Sequence, residues 1–310
     1  MAKYGMVIDI TKCNGCFNCF LACRDEYCGN DFPPYSASQP MTGQSWMQII
    51  EKERGKYPKV KVAYTPVPCM HCDDASCIKA ATEGAIYKRA DGIVIIDPKK
   101  SQGQKGLVSA CPYRVIFWND EKQIPQKCTF CAHLLDQGWK APRCVEVCPT
   151  GALTFGNLDD TNSGVARLMK SGKVEVLHPE YGLKEKVTYI GLPKRFIAGA
   201  VVFGDTDECG EGAKVTLQGK GEKRVTKTDN YGDFEFEGLK ADKAYGIKVE
   251  KAGYDTHKIE VNTKVDVYLG DIVLAKSAKK KGAKTKSTKT KNTKTKRTKT
   301  KGTKAKAKKR

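Results

Sequence analysis

"MVIDITKCNGCFNCFLAC", residues 6–23, runs from an apolar strand-like segment straight into Cys13-x2-Cys16-x2-Cys19-x3-Cys23. Thiolates hold [4Fe–4S] clusters with this spacing, and where two such runs occur the fourth thiolate crosses to the other site. A zinc site would instead use C-x2-C pairs separated by a longer loop. The second run is Cys128-x2-Cys131-x12-Cys144-x3-Cys148-Pro149. Crossed wiring predicts one site from Cys13, Cys16, Cys19 and Cys148, and another from Cys23, Cys128, Cys131 and Cys144.

The middle of the chain repeats its own ends. "VIIDPKKSQGQKGLVSAC" (94–111) matches residues 6–23 at a constant offset of 88, so that Asp97 meets Asp9, Gly103 meets Gly15 and Cys111 meets Cys23. "ATEGAI" (81–86) matches "CPTGAL" (148–153). An internal duplication of this kind carries sixteen ligand positions, and four of them hold no cysteine: Ala81, Ser101, Gln104 and Leu107. Under crossed wiring all four belong to one cluster. The remaining cysteines, Cys69, Cys72, Cys77 and Cys111, complete a third site, so three [4Fe–4S] clusters are expected. Cys28 and Cys209 are left over and read as spare thiols. His71 and His133 lie beside ligand positions and are candidates for donating to a cluster sulfur, though packing is the commoner role for such a histidine. Trp46, Trp118 and Trp139 read as packing residues.

The net charge of +20 suggests nucleic-acid binding until it is located. Residues 276–310 hold 18 Lys and Arg and no acid, which leaves the body near neutrality with 37 basic and 35 acidic residues. The tail repeats K-T-K-x-T with no recurrent apolar residue, so nothing offsets the entropy of ordering it. It is expected to be disordered, with at most weak contact to anionic surfaces and no specific nucleic-acid recognition. Fourteen cysteines without a signal peptide or a span-length apolar run point to metal ligands in a reducing, cytoplasmic setting.

The expected fold class is α+β. Residues 1–158 form duplicated ferredoxin-like modules, residues 159–195 a connector, and residues 276–310 a Lys-rich tail. Between them, residues 196–275 alternate apolar and polar residues ("AKVTLQG", "DFEFEGL") with turn signals between the runs, which argues an antiparallel β-sandwich of about seven strands. No phosphate loop, nucleophile elbow or zinc-protease motif occurs, so no substrate-catalytic residue is assigned.

The runs "KCTFCAHLLDQG", "CVEVCPTGAL", "TPVPCMHC" and "ACPYRVIFWN" resemble the iron–sulfur electron-transfer subunits of the dimethyl sulfoxide reductase family of molybdenum enzymes. The three-cluster count and the sandwich stretches "EGAKVTL" and "NYGDFEFEGL" look like the branch of that family that transfers hydroxyl groups among phenolic aromatics. The sandwich itself is similar to carboxypeptidase-regulatory or Cna-B-like domains. The resemblance implies a large catalytic partner, in a heterodimer or larger assembly, carrying molybdenum or tungsten on two molybdopterin guanine dinucleotides. Other readings are a subunit of a respiratory reductase of sulfur, nitrogen or arsenic compounds, and a cluster-stapled protein that binds an anionic polymer.

Overall fold

Strand β1 (Tyr4–Asp9) runs through the first core with Met6, Val7 and Ile8 all buried. A strand covered on both faces is continuously apolar rather than alternating. The computed structural model describes residues 2–278; the lysine-rich tail from residue 279 lies outside the described residues. Ten-residue helix α1 (Asn18–Tyr27) follows the first cysteine loop. A long hairpin comes next, β2 (Gln48–Lys56) and β3 (Lys59–Val67). Then come the short elements α2 (Ser76–Ala80), β4 (Ile86–Lys88), β5 (Val94–Ile96), β6 (Phe117–Asn119), β7 (Ile124–Gln126), α3 (Ala132–Asp136), α4 (Arg143–Glu146) and β8 (Leu153–Asn157).

The duplication is visible in the ladders. β1 pairs antiparallel with β8, with Ile8 facing Leu153, and β5 pairs antiparallel with β4, with Ile96 facing Ile86. The Asp9 amide donates to Ala152 at 2.8 Å, and the equivalent Asp97 amide donates to Ala85 at 2.9 Å. Each half therefore closes its cysteine loop with the same strand pair and the same bond.

The segment expected as a connector is part of this core. Helix α5 (Gly164–Lys170) starts at a Ser163 cap that accepts from the Ala166 amide, and it buries Val165 and Ala166. Strand β9 (Val187–Ile190) adds parallel to the free edge of β1, burying Val187 and Tyr189. An unpaired strand edge invites further pairing, and the chain itself supplies the partner here.

Seven strands make the sandwich: β10 (Arg195–Phe203), β11 (Lys214–Gly219), β12 (Glu222–Lys227), β13 (Asp233–Leu239), β14 (Ala244–Glu250), β15 (His257–Asn262) and β16 (Val267–Leu274). Their sheets have the orders β13-β10-β16 and β12-β11-β14-β15. Alternate residues such as Val215 and Leu217, Phe234 and Phe236, and Ile247 and Val249 fill the space between them. One pair departs from the antiparallel expectation: β10 and β16 run parallel. The last strand returns beside the first and covers its second edge. The folded edge also reaches past residue 275, because Lys276 bridges to Tyr254 and the Ser277 amide donates to Gly253.

The β2–β3 hairpin joins the two cores. Lys61 pairs with Glu235 and Glu237, Lys59 pairs with Glu235, and Arg54 pairs with Asp266. Gly55 sits at φ +83° against Lys59 and the Phe196 ring, where a Cβ would clash with both. Only glycine fits that contact at that backbone angle.

Candidate metal centre

The first cysteine loop begins after a single 3-10 turn, Ile10–Lys12. Gly15 turns the loop at φ +71° with its open side against the Tyr64 ring, 2.6 Å from where a Cβ would stand. The chain then enters α1, where Cys19 and Cys23 are four residues apart and both buried. Residues at that spacing share a helix face one turn apart, so the two thiols point inward at different heights.

Their neighbours differ accordingly. Cys19 is pushed up to about 12 by burial, with Cys13, Cys148 and Cys16 adding charge repulsion. Cys13 is raised by burial and then by Cys148 and Cys16. Burial alone would raise Cys148 too, but backbone amides from Leu153, Ala152 and Thr150 and the Thr150 hydroxyl outweigh it and hold this thiol below its ordinary value. Cys23, one turn on, is raised by burial and then by Cys128 and Cys131. Cys144 is raised by burial and then by Cys131, Cys128 and Cys23. Burial pushes Cys128 to about 12 and Cys131 to about 11.

The third set, Cys69, Cys72, Cys77 and Cys111, lines one cavity. Cys77 is pushed up to about 11 by burial, then by Cys69 and Cys111, while Cys72 is raised by burial and then by Cys69 and other anions including Cys111 and Cys77. Thiols expected to share a site from spacing are near enough to raise one another, and those of the third set line one cavity. The structure also orders the sets: Cys19 adds to the rise of Cys23 and Cys144, and Cys69 to that of Cys128. The second set therefore lies between the first and the third.

Buried thiols raised this far are neutral at ordinary pH, so holding them as thiolates requires a cationic group among them. The polar atoms around them fit an iron–sulfur group. The His71 amide donates to Cys69 Sγ at 3.5 Å and the Phe130 amide to Cys128 Sγ at 3.4 Å. His71 is buried, accepts from the Val94 amide through Nδ1 at 3.0 Å, and leaves Nε2 buried without a partner among the described residues. Among the described residues, no three His, Cys, Asp or Glu side chains close in on a single ion.

Of the four positions without cysteine, two are buried and two, Ala81 and Gln104, are half-buried. Ser101 is 0% and Leu107 3% exposed, and Gln104 Oε1 accepts from the Thr82 amide at 3.3 Å, tying that turn to the segment after Ala81. Cys28 stands apart beside Met41 and Arg24, and Cys209 is exposed in the sandwich. His133 stacks on Phe32 and places Nε2 2.8 Å from Glu26, while its Nδ1 is buried with no partner among the described residues. Trp46 is a core residue whose Nε1 donates to Gln44, Trp118 buries its Nε1, and Trp139 is exposed. Lys127, directly before Cys128, is the residue that sequence reasoning misses. It is 2% exposed and lines the cavity of the third set. Its only signal is its place in "QKCTFC", which says nothing of burial.

A model of the 4Fe-4S dicluster domain matches residues 60–158, and one of the carboxypeptidase regulatory-like domain matches residues 197–275. The pyrogallol hydroxytransferase small subunit of Pelobacter acidigallici is 42% identical over 282 residues, covering 88% of this chain and 100% of that protein. The arsenate respiratory reductase iron–sulfur subunit ArrB of a Shewanella species is 33% identical over 236 residues, covering 61% and 96%. A tetrathionate reductase subunit of Salmonella typhimurium is 35% identical over 197 residues, covering 63% and 75%. Among the described residues no helix is long and apolar enough to cross a membrane.

Proposed function

We propose, from the premise that this chain belongs to the family of iron–sulfur subunits of molybdopterin enzymes that includes the pyrogallol hydroxytransferase small subunit, that it serves a catalytic partner acting on phenolic aromatics. The chain is the electron-transfer subunit and carries no substrate chemistry of its own. The partner holds molybdenum or tungsten on two molybdopterin guanine dinucleotides.

Three [4Fe–4S] clusters are held by Cys13, Cys16, Cys19 and Cys148, by Cys23, Cys128, Cys131 and Cys144, and by Cys69, Cys72, Cys77 and Cys111. When bound, the clusters supply one-electron transfer between neighbouring sites. The protein supplies burial, amide donors to sulfur and the linear order of the three sets. Cys16 is exposed, with Phe17 and Leu21 exposed beside it, which supports the first set as the end that faces the partner.

The observation that carries the phenolic reading is extent. Similarity to the pyrogallol hydroxytransferase small subunit runs through the sandwich, covering 88% of the chain, whereas the respiratory relatives cover 61–63%. The packed Ser101 and Leu107 support a count of three rather than four clusters.

The test is purification of the native complex with metal analysis and assay on pyrogallol, resorcinol and phloroglucinol. About twelve irons on this chain, a large subunit with molybdenum or tungsten, and turnover of a phenol are expected. About sixteen irons, or none, would refute the ligand scheme, and a chain that functions alone would refute the subunit reading. A complex that reduces arsenate or tetrathionate and ignores the phenols would establish the respiratory alternative.

A further inference from the structure

Lys127 carries an inference beyond this reading, and it rests on the ligand scheme just proposed. The side chain is buried, and its Nζ donates to two main-chain oxygens, Val94 O and, at 3.0 Å, Cys128 O. Neither acceptor is a full charge. Burying an ammonium is costly unless anions stand close by. The groups around Lys127 are the cluster-forming thiols. It lies in the wall of the cavity formed by Cys69, Cys72, Cys77 and Cys111, and it is covalently next to Cys128 of the second set. Its charge opposes the burial that raises Cys77, Cys111 and Cys128.

Val94, on β5, fixes the arrangement. Its carbonyl takes the Lys127 ammonium, and its amide donates to His71 Nδ1. Because Nδ1 accepts that bond, the ring is neutral, with its proton on Nε2. Among the described residues, Lys127 is then the buried side chain that carries a full positive charge at the boundary of the second and third sets.

We propose that Lys127 is a counter-charge shared by the second and third clusters, raising the reduction potentials of both. Adding an electron to either site makes it more negative, and a fixed cation beside it favours that state. One ammonium flanked by two sites acts on both with the same sign. The first set lies beyond the second and is affected least.

The test is a redox titration of the purified complex followed by electron paramagnetic resonance, comparing wild type with K127M, K127Q and K127R. Loss of the charge in K127M is expected to shift the reduction equilibrium of two clusters tenfold or more toward oxidised, about 59 mV for a one-electron couple. The third resonance should stay near its wild-type midpoint, and K127R should restore much of the loss. If K127M fails to load iron, K127Q carries the test, since its amide keeps a polar donor in the cavity wall without the charge. Unmoved midpoints in a fully loaded K127M or K127Q would overturn the proposal, as would equal shifts of all three clusters. A wild-type iron count far from about twelve would instead refute the ligand scheme, before any variant is made.

Discussion

The Val94 amide donates to His71 Nδ1 across 3.0 Å inside the first core. That one bond sets the histidine's tautomer and aims its Nε2 proton away from the main chain, while Phe130 stacks on the ring at 3.8 Å. His71→Leu removes the acceptor and leaves the buried Val94 amide without a partner. A loss of roughly 1–3 kcal/mol of stability is expected, read as a lower denaturant midpoint.

In the proposed ligand scheme Cys111 completes the third set from 34 residues downstream of Cys77. Cys111→Ala should reduce bound iron from about twelve to about eight per chain and leave the other two clusters intact. Cys28→Ala and Cys209→Ala should leave the iron count unchanged. Iron analysis beside the resonance spectra checks all three.

Leu107 occupies a position equivalent to Cys19 and is almost fully buried. Its present work is packing. Leu107→Ala should destabilise the chain by roughly 2–5 kcal/mol while the iron count stays at its wild-type value. Thermal unfolding with metal analysis separates the two effects.

Asp266 is 3% exposed, pairs with Arg54 and Arg195 at 3.6 Å each, and accepts from the Phe196 amide at 3.0 Å. Asp266→Ala leaves two mostly buried guanidiniums without their carboxylate and the Phe196 amide without its acceptor, while Arg54 keeps its bond to the Lys194 carbonyl at 2.6 Å. A loss of up to about 3–5 kcal/mol is expected, with the sandwich loosening from the β2–β3 hairpin before the first core unfolds. Hydrogen exchange on the two cores would resolve the order.

Hydrogen bonds from Arg89 hold Asp136 below the ordinary carboxylate range, with Tyr35 adding a further bond at 2.5 Å. A lowered folded value means that the pair stabilises the chain above the unfolded value of about 4 and that this contribution is lost as pH falls through the folded value. Asp136 is 41% exposed, so the effect is at most about 1 kcal/mol. Asp136→Asn should be less stable than wild type at neutral pH, and the gap should close as pH drops below about 4. Paired unfolding curves across that range measure it.

Ligand spacing is local along the chain, which is why the cysteine sets could be read as arithmetic. Cys19 and Cys23 sit one helical turn apart, and the matching offset between residues 6–23 and 94–111 survives where the thiols do not. Period-two alternation was similarly direct for Val215 and Leu217 or for Phe234 and Phe236, whose side chains must face a core if the strand forms. The hairpin that clasps the sandwich was not legible, because Lys61 meets Glu235 and Arg54 meets Asp266 across long stretches of chain, and charged residues in a strand ordinarily read as solvent-facing. Nor was the parallel return of β16 beside β10, because alternation defines a strand's faces and leaves its direction open.

By itself the sequence determined the spacing of the cysteines, the internal repeat that relates residues 6–23 to 94–111, and that a β-sandwich follows. These depend on spacing and periodicity, which covalent geometry carries. Only the tertiary structure decided the order of the three sets, the joining of the connector to the first core, and the burial of Lys127 between two sets of thiols. Those depend on which distant segments exclude water from one another. The charge of a lysine is written in the sequence, but its effect depends on the dielectric and the neighbours that packing provides.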